Sequence, residues 1–201
     1  AAVMGCLAPD VFRGVGIAAG PSVGTGAYQI GQVAVNGTQA ANTCTNLAGV
    51  HADAFDTQLG SAITGTSDYT VAQGYATVNA QMFDQLYGPG LSTRSIDVTT
   101  LHGYQPAGAG TVYSDEGDRI LLLSAQGMGH AWPAGTGSGY EIGFVATQGI
   151  DYAWTLADFF SSNALRTPPV DGDADTDADS DTDTDTDSDT DTDSDTDTDV
   201  C

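Results

Sequence analysis

Arg119-Ile120-Leu121-Leu122-Leu123, followed two residues later by Gln126-Gly127-Met128-Gly129-His130-Ala131-Trp132-Pro133-Ala134-Gly135, is the stretch on which the reading of the fold turns. The apolar run suits a buried strand and is short for a helix. The glycines beyond it permit positive φ and a sharp bend, and Pro133 stiffens the exit. A strand therefore delivers His130 onto a loop at its end, where α/β enzymes hold a general base. Seen alone, a histidine beside Trp132 reads as an ordinary packed side chain. A second residue, Asp68, changes that reading.

Upstream, residues 57–65 (Thr-Gln-Leu-Gly-Ser-Ala-Ile-Thr-Gly) form another strand, with Thr66-Ser67-Asp68-Tyr69-Thr70-Val71 just past it, so Asp68 also stands at a strand's carboxyl end. Residues 71–87 carry Val71, Tyr75, Val78, Met82, Phe83 and Leu86 near helical spacing, and Gly88-Pro89 stops them. Residues 111–114 and 118–124 predict a hairpin around Asp115-Glu116-Gly117, leading into the His130 loop. Residues 151–162 present Trp154, Leu156, Phe159 and Phe160 as the apolar face of a last helix.

Towards the start, residues 11–20 read as a small-residue strand closed by Gly20-Pro21, and the thirty or so residues after it as a long ordered loop containing Cys44. Residues 1–7 have the character of the last two turns of a buried helix closed by Pro9. The expectation from this is a chain that starts inside a helix, a piece of a longer protein. The alternation of strands and helices predicts an α/β fold with a mostly parallel sheet and its site on the carboxyl edge.

Charge excludes some functions. Of the 27 acidic residues, 15 lie in 171–201, which leaves 12 against Arg13, Arg94, Arg119 and Arg166, about eight net negative charges on the rest. Without lysine or a basic patch, neither nucleic acid nor an anionic membrane surface is an expected partner. No apolar run reaches the length needed to insert into a bilayer.

The order of Asp68 and His130 carries chemistry. In α/β-hydrolases the triad runs serine, then acid, then histidine, with acid and base on loops after late strands. The acid would fix the imidazole tautomer, and the imidazole would take the nucleophile's proton. A serine is the missing part. Gly20-Pro21-Ser22-Val23-Gly24 matches G-x-S-x-G, but the residues after Gly24 make a poor helix and Pro21 removes a backbone donor. An ordinary loop serine is the better reading of Ser22.

Leu7-Ala8-Pro9-Asp10-Val11-Phe12-Arg13-Gly14-Val15-Gly16, Ala18-Ala19-Gly20-Pro21, Gly65-Thr66-Ser67-Asp68-Tyr69-Thr70-Val71 and Gly127-Met128-Gly129-His130-Ala131-Trp132-Pro133 together resemble the extracellular poly(3-hydroxybutyrate) depolymerases. The resemblance implies the C-terminal portion of an α/β-hydrolase fold over residues 1–167, with Asp68 as triad acid and His130 as base. It places the nucleophile elbow upstream of Ala1, so this chain alone is expected to be inactive. It implies no metal and no cofactor, and a secreted enzyme acting on an insoluble polyester. Trp132 is a candidate apolar wall for such a chain, or core packing beside the base. Related esterases cleave feruloyl or acetyl esters of polysaccharides with the same triad, which keeps that substrate class open.

Cys6, Cys44 and Cys201 contain no C-x-x-C. Cys6 and Cys44 either pair or remain thiols. His51 and His102 lie in polar sequence and receive no role.

Residues 168–201, an almost strict alternation of Asp with Thr, Ser or Ala, are expected to be a disordered, solubilising linker, since like charges repel and nothing apolar is available to bury. In the family resembled, such a linker leads to a substrate-binding domain. A further reading is a non-catalytic calcium-binding or adhesion protein with the Asp repeat as its working part, although the only glycine of the repeat is at its start and no bidentate glutamate closes a loop of EF-hand type.

Overall fold

The computed structural model describes residues 1–138 and 143–164. The expectations for 168–201, including the linker, the position of the domain boundary, calcium binding and Cys201, lie outside the described residues. In chain order the elements are α1 (Ala2–Leu7), β1 (Gly14–Ala18), α2 (Gly37–Ala48), β2 (Leu59–Gly65), α3 (Gly74–Tyr87), β3 (Ser92–Ile96) and β4 (Gly103–Tyr104). There follow β5 (Gly108–Ser114), β6 (Asp118–Ala125), β7 (Trp132–Pro133), β8 (Val145–Ala146), β9 (Gly149–Ile150) and α4 (Tyr152–Ser162).

The main sheet has five strands in the order β1-β2-β6-β5-β3. β1, β2 and β6 run parallel, and β5 and β3 continue the sheet antiparallel. The fold is α/β, but "mostly parallel" needs correction: half of the strand pairings are antiparallel. The hairpin read from Asp115-Glu116-Gly117 is the reason, because a tight turn can join only antiparallel neighbours. The edge strand β3 is the other half; its exposed Ser92-Thr93-Arg94-Ser95 has no apolar alternation to mark it.

The run in β6 is continuous because both sheet faces are covered. Ile120 and Leu122 pack into the core shared with α2 and α3, while Leu121 and Leu123 pack into the core on the α4 side. Close approach replaces bulk at two places. A Cβ on Gly60 would meet the Phe83 ring of α3 at 2.5 Å, and one on Gly16 would meet Leu156 of α4 at 2.4 Å. Small residues in the parallel strands thus let both helical layers sit directly on the sheet.

Residues 37–48 are a helix, not loop, and Cys44 lies inside it. Asn36 caps it, accepting from the Gln39 backbone N–H at 2.9 Å while the Gln39 side chain returns a bond to Asn36 at 3.0 Å. The buried stripe is Ala40, Ala41, Cys44 and Ala48, too small in volume to stand out as an apolar face. Cys44 is joined to Cys6 of α1 by a disulfide across 38 residues of sequence. Of α1 itself only Gly5 and Cys6 are buried; Val3, Met4 and Leu7 are exposed, so the expected buried helix is only partly covered.

Polar groups secure the far side of the core. Buried Gln58 donates to the carbonyls of Gly5 and Phe12 and accepts from the Tyr87 hydroxyl. Arg119, also buried, donates to Asp115 at 2.7 Å and to the carbonyls of Phe55 and Gln58, with its guanidinium 4.9 Å from the Tyr87 ring. No helix among the described residues is long and apolar enough to cross a membrane.

Candidate active site

Three carboxyl ends meet at one edge of the sheet. β1 ends at Ala18, β2 at Gly65 and β6 at Ala125, and the loops that follow carry Ala19, Asp68 and His130 respectively. The last two loops are laced together by the backbone. Thr66 N–H donates to the Ala125 carbonyl at 3.0 Å and Ser67 N–H to the Met128 carbonyl at 2.9 Å. The Thr66 hydroxyl accepts from Gly127 N–H at 2.8 Å, where Gly127 takes φ +75°. The approach leaves no space for a side chain at Gly65, since a Cβ there would lie 2.0 Å from the Met128 carbonyl oxygen. Gln73 of α3's first turn region adds a bond to the Thr66 carbonyl.

Within this frame the Asp68 side chain is completely buried and each carboxylate oxygen has its own task. Oδ1 accepts from the backbone N–H groups of Thr70 and Val71, both at 2.9 Å. Oδ2 lies 3.0 Å from Nδ1 of His130, whose side chain is 30% exposed. A carboxylate can only accept, so the proton of this bond belongs to Nδ1 and the lone pair of a neutral ring to Nε2. The arrangement could serve as a base whose tautomer is set by its buried partner.

The imidazole opens on a cleft of about 260 Å³ lined by Ala18, Ala19, His130, Ala131, Trp132 and Phe144. Trp132 is 43% exposed, so it is neither wholly core nor wholly free. Its ring meets Tyr152 edge-on at 5.8 Å. Tyr152 is itself buried and donates to the Ser61 hydroxyl, which donates to the Leu121 carbonyl. Burial pushes the Tyr152 phenol up, with the bond to Ser61 acting against it. Trp132 is thus braced from the sheet. Phe144, not singled out by the sequence reading, sets its ring edge-on to His130 at 5.8 Å. A short parallel pairing, Trp132 with Val145 and Pro133 with Ala146, holds it there. Bridges this short leave no periodic signal in the sequence.

Ser22 is buried, and its hydroxyl donates to Asn79 Oδ1 at 2.6 Å. Asn79 in turn donates to the Gly20 carbonyl. This polar trio fastens the turn after β1, in which Ala19 takes φ +46°; Ser22 makes no bond to His130. His51 Nδ1 lies 3.2 Å from the Asp10 carboxylate at the surface, and His102 packs against Trp154. Another cavity, of about 270 Å³, lies between β3, β5 and α4 and holds Arg94, His102 and Asp158, but neither Asp68 nor His130 lines it. Chemistry, not size, makes the His130 cleft the candidate.

No protein-family model matches the chain. A poly(3-hydroxybutyrate) depolymerase of Ralstonia pickettii is 42% identical over 176 residues, which is 86% of this chain and 35% of that protein. The chain therefore spans about a third of the length of that relative.

Proposed function

Starting from a chain that belongs to the poly(3-hydroxybutyrate) depolymerase-like family, we propose that it is part of the catalytic domain of a secreted serine esterase of α/β-hydrolase fold acting on a 3-hydroxybutyrate polyester. The observation that carries the reading is the 3.0 Å bond from His130 Nδ1 to the buried Asp68 carboxylate, at the carboxyl ends of the parallel strands. The nucleophile in this reading is a serine upstream of Ala1. The commitment of the Ser22 hydroxyl to Asn79 supports that.

In this reading the residues take the roles of a serine-esterase triad. The serine oxygen attacks the ester carbonyl as its proton passes to His130 Nε2. Asp68 keeps the ring oriented and stabilises the cation that forms. The tetrahedral intermediate collapses, the C–O bond to the alcohol end breaks, and the imidazolium returns its proton to that oxygen. Water then attacks the acyl-enzyme with His130 again as base, releasing the acid and the free serine. Trp132 is assigned as an apolar wall of the acyl site. The Cys6–Cys44 disulfide supports an oxidising destination. Residues 1–167 are assigned to this domain and 168–201 to a linker, with a substrate-binding module beyond it.

The test uses the full-length protein on amorphous polyhydroxybutyrate film beside its His130→Ala variant. Clearing that falls by about 10³-fold or more in the variant is expected. The 201-residue chain alone is expected to clear nothing. Full-length clearing that survives loss of His130 would sink the triad. Release of ferulate or acetate from polysaccharide in place of clearing would redirect the substrate class while leaving the triad intact.

A further inference from the structure

We infer that Phe144 is a specificity-determining residue of the His130 cleft, gripping the uncharged, methyl-branched aliphatic segment next to the reacting ester together with Trp132. This rests on the esterase reading above and names what that site prefers. Three observations carry it.

The first is placement. Phe144 is 71% exposed, a cost for a free phenylalanine, yet it is held by the Trp132 N–H donating to its carbonyl at 2.7 Å and by the β7–β8 bridge beside it. The exposed ring is therefore presented, edge-on to the imidazole, by hydrogen-bonded backbone on the same ribbon as Trp132. The second is the lining. Among the described residues, apart from the imidazole and the indole N–H, the side chains around the cleft are alanine methyls and aromatic rings. A site for a sugar ester needs side-chain donors and acceptors to replace the water that sugar hydroxyls lose, because unpaired polar groups are costly to bury. A hydroxybutyrate segment carries only ester oxygens, methylenes and a methyl, which apolar walls accept. The third is continuity: the two rings and the candidate base bound one cleft, so a chain lying between them passes the imidazole.

Trp132 supplies a readout that needs no hydrolysis. Trp132 and Trp154 are the chain's two tryptophans, and a Trp154→Phe background excited beyond tyrosine absorption isolates the former. The 201-residue chain is titrated with the soluble methyl ester of a 3-hydroxybutyrate trimer, with acetylated xylotriose as comparison. The expected result is a saturable change in Trp132 emission with the trimer and none with the sugar. Phe144→Ala should raise the midpoint about tenfold, the scale of one lost aromatic wall, and Phe144→Leu less. Exposure of the ring makes unfolding an unneeded explanation, and an unchanged circular dichroism spectrum checks that. A saturable change that Phe144→Ala leaves unaltered overturns this inference and spares the esterase reading. No saturable change with the trimer, or an equal one with the sugar, also overturns it; film clearing by the full-length protein then decides the esterase reading separately.

Discussion

Asp68 divides its carboxylate, one oxygen to backbone and one to imidazole, and the division makes a clean substitution available. In Asp68→Asn the amide oxygen can still accept from Thr70 and Val71, so the loop keeps its anchor. The amide nitrogen would then face His130 Nδ1, favouring the tautomer with its proton on Nε2, which is useless as a base. Polyester hydrolysis by the full-length protein is expected to drop by about 10³- to 10⁴-fold while its thermal midpoint moves little. A large fall in the midpoint with a small fall in rate would reverse the assignment. Asp68 and His130 were legible in the sequence because each follows a recognisable strand and the two stand in the order a triad uses. Phe144 and the Ser22–Asn79–Gly20 trio were not, since both depend on contacts between elements distant in sequence.

At the scale of elements, α2 is the case where local chemistry and volume gave opposing signals. Thr, Asn and Gly are weak helix formers, and its buried stripe is alanine and half-cystine, so no apolar face announced it. The capping pair Asn36 and Gln39 was the readable sign. The helix relies on tertiary ties, above all the disulfide to α1. Closing 38 residues of chain is worth about 4 kcal/mol in the loop-entropy account. Cys44→Ser is accordingly expected to lower unfolding free energy by about 2–4 kcal/mol, read as a lower denaturant midpoint, with Cys6→Ser behaving alike. The two substitutions together should cost little more than either alone, which is the signature of one bond. The sheet illustrates a different limit. The Asp115-Glu116-Gly117 turn makes the β5–β6 hairpin legible in the sequence, and a hairpin makes its two strands antiparallel.

For the whole molecule, buried phenols are expected to lower stability at alkaline pH. Burial raises Tyr87 well above its ordinary range, with Arg119 opposing, and burial likewise raises Tyr152. Above about pH 10 the unfolded chain releases these protons while the folded chain retains them. The unfolded state then binds fewer protons, so stability must fall as pH rises, by about 1.4 kcal/mol per pH unit for each such tyrosine. Denaturant midpoints should fall more and more steeply as pH passes about 10, and Tyr87→Phe should remove one tyrosine's share of that slope. A flat stability profile over that range would show that both phenols ionise without unfolding.

The anchoring of α4 also has a mechanical meaning. The helix runs back along β1, with Phe160 against Gly14 and Leu156 against Gly16, and its first residue, Tyr152, hydrogen-bonded to Ser61. Tension entering from residues after Asn163 and directed away from the sheet would peel the helix from its C-terminal end, one contact at a time. Phe160 yields first, Leu156 next, and Tyr152, which braces Trp132 beside His130, last. Under a pull in that direction the helix would shed load before any tug reached the imidazole.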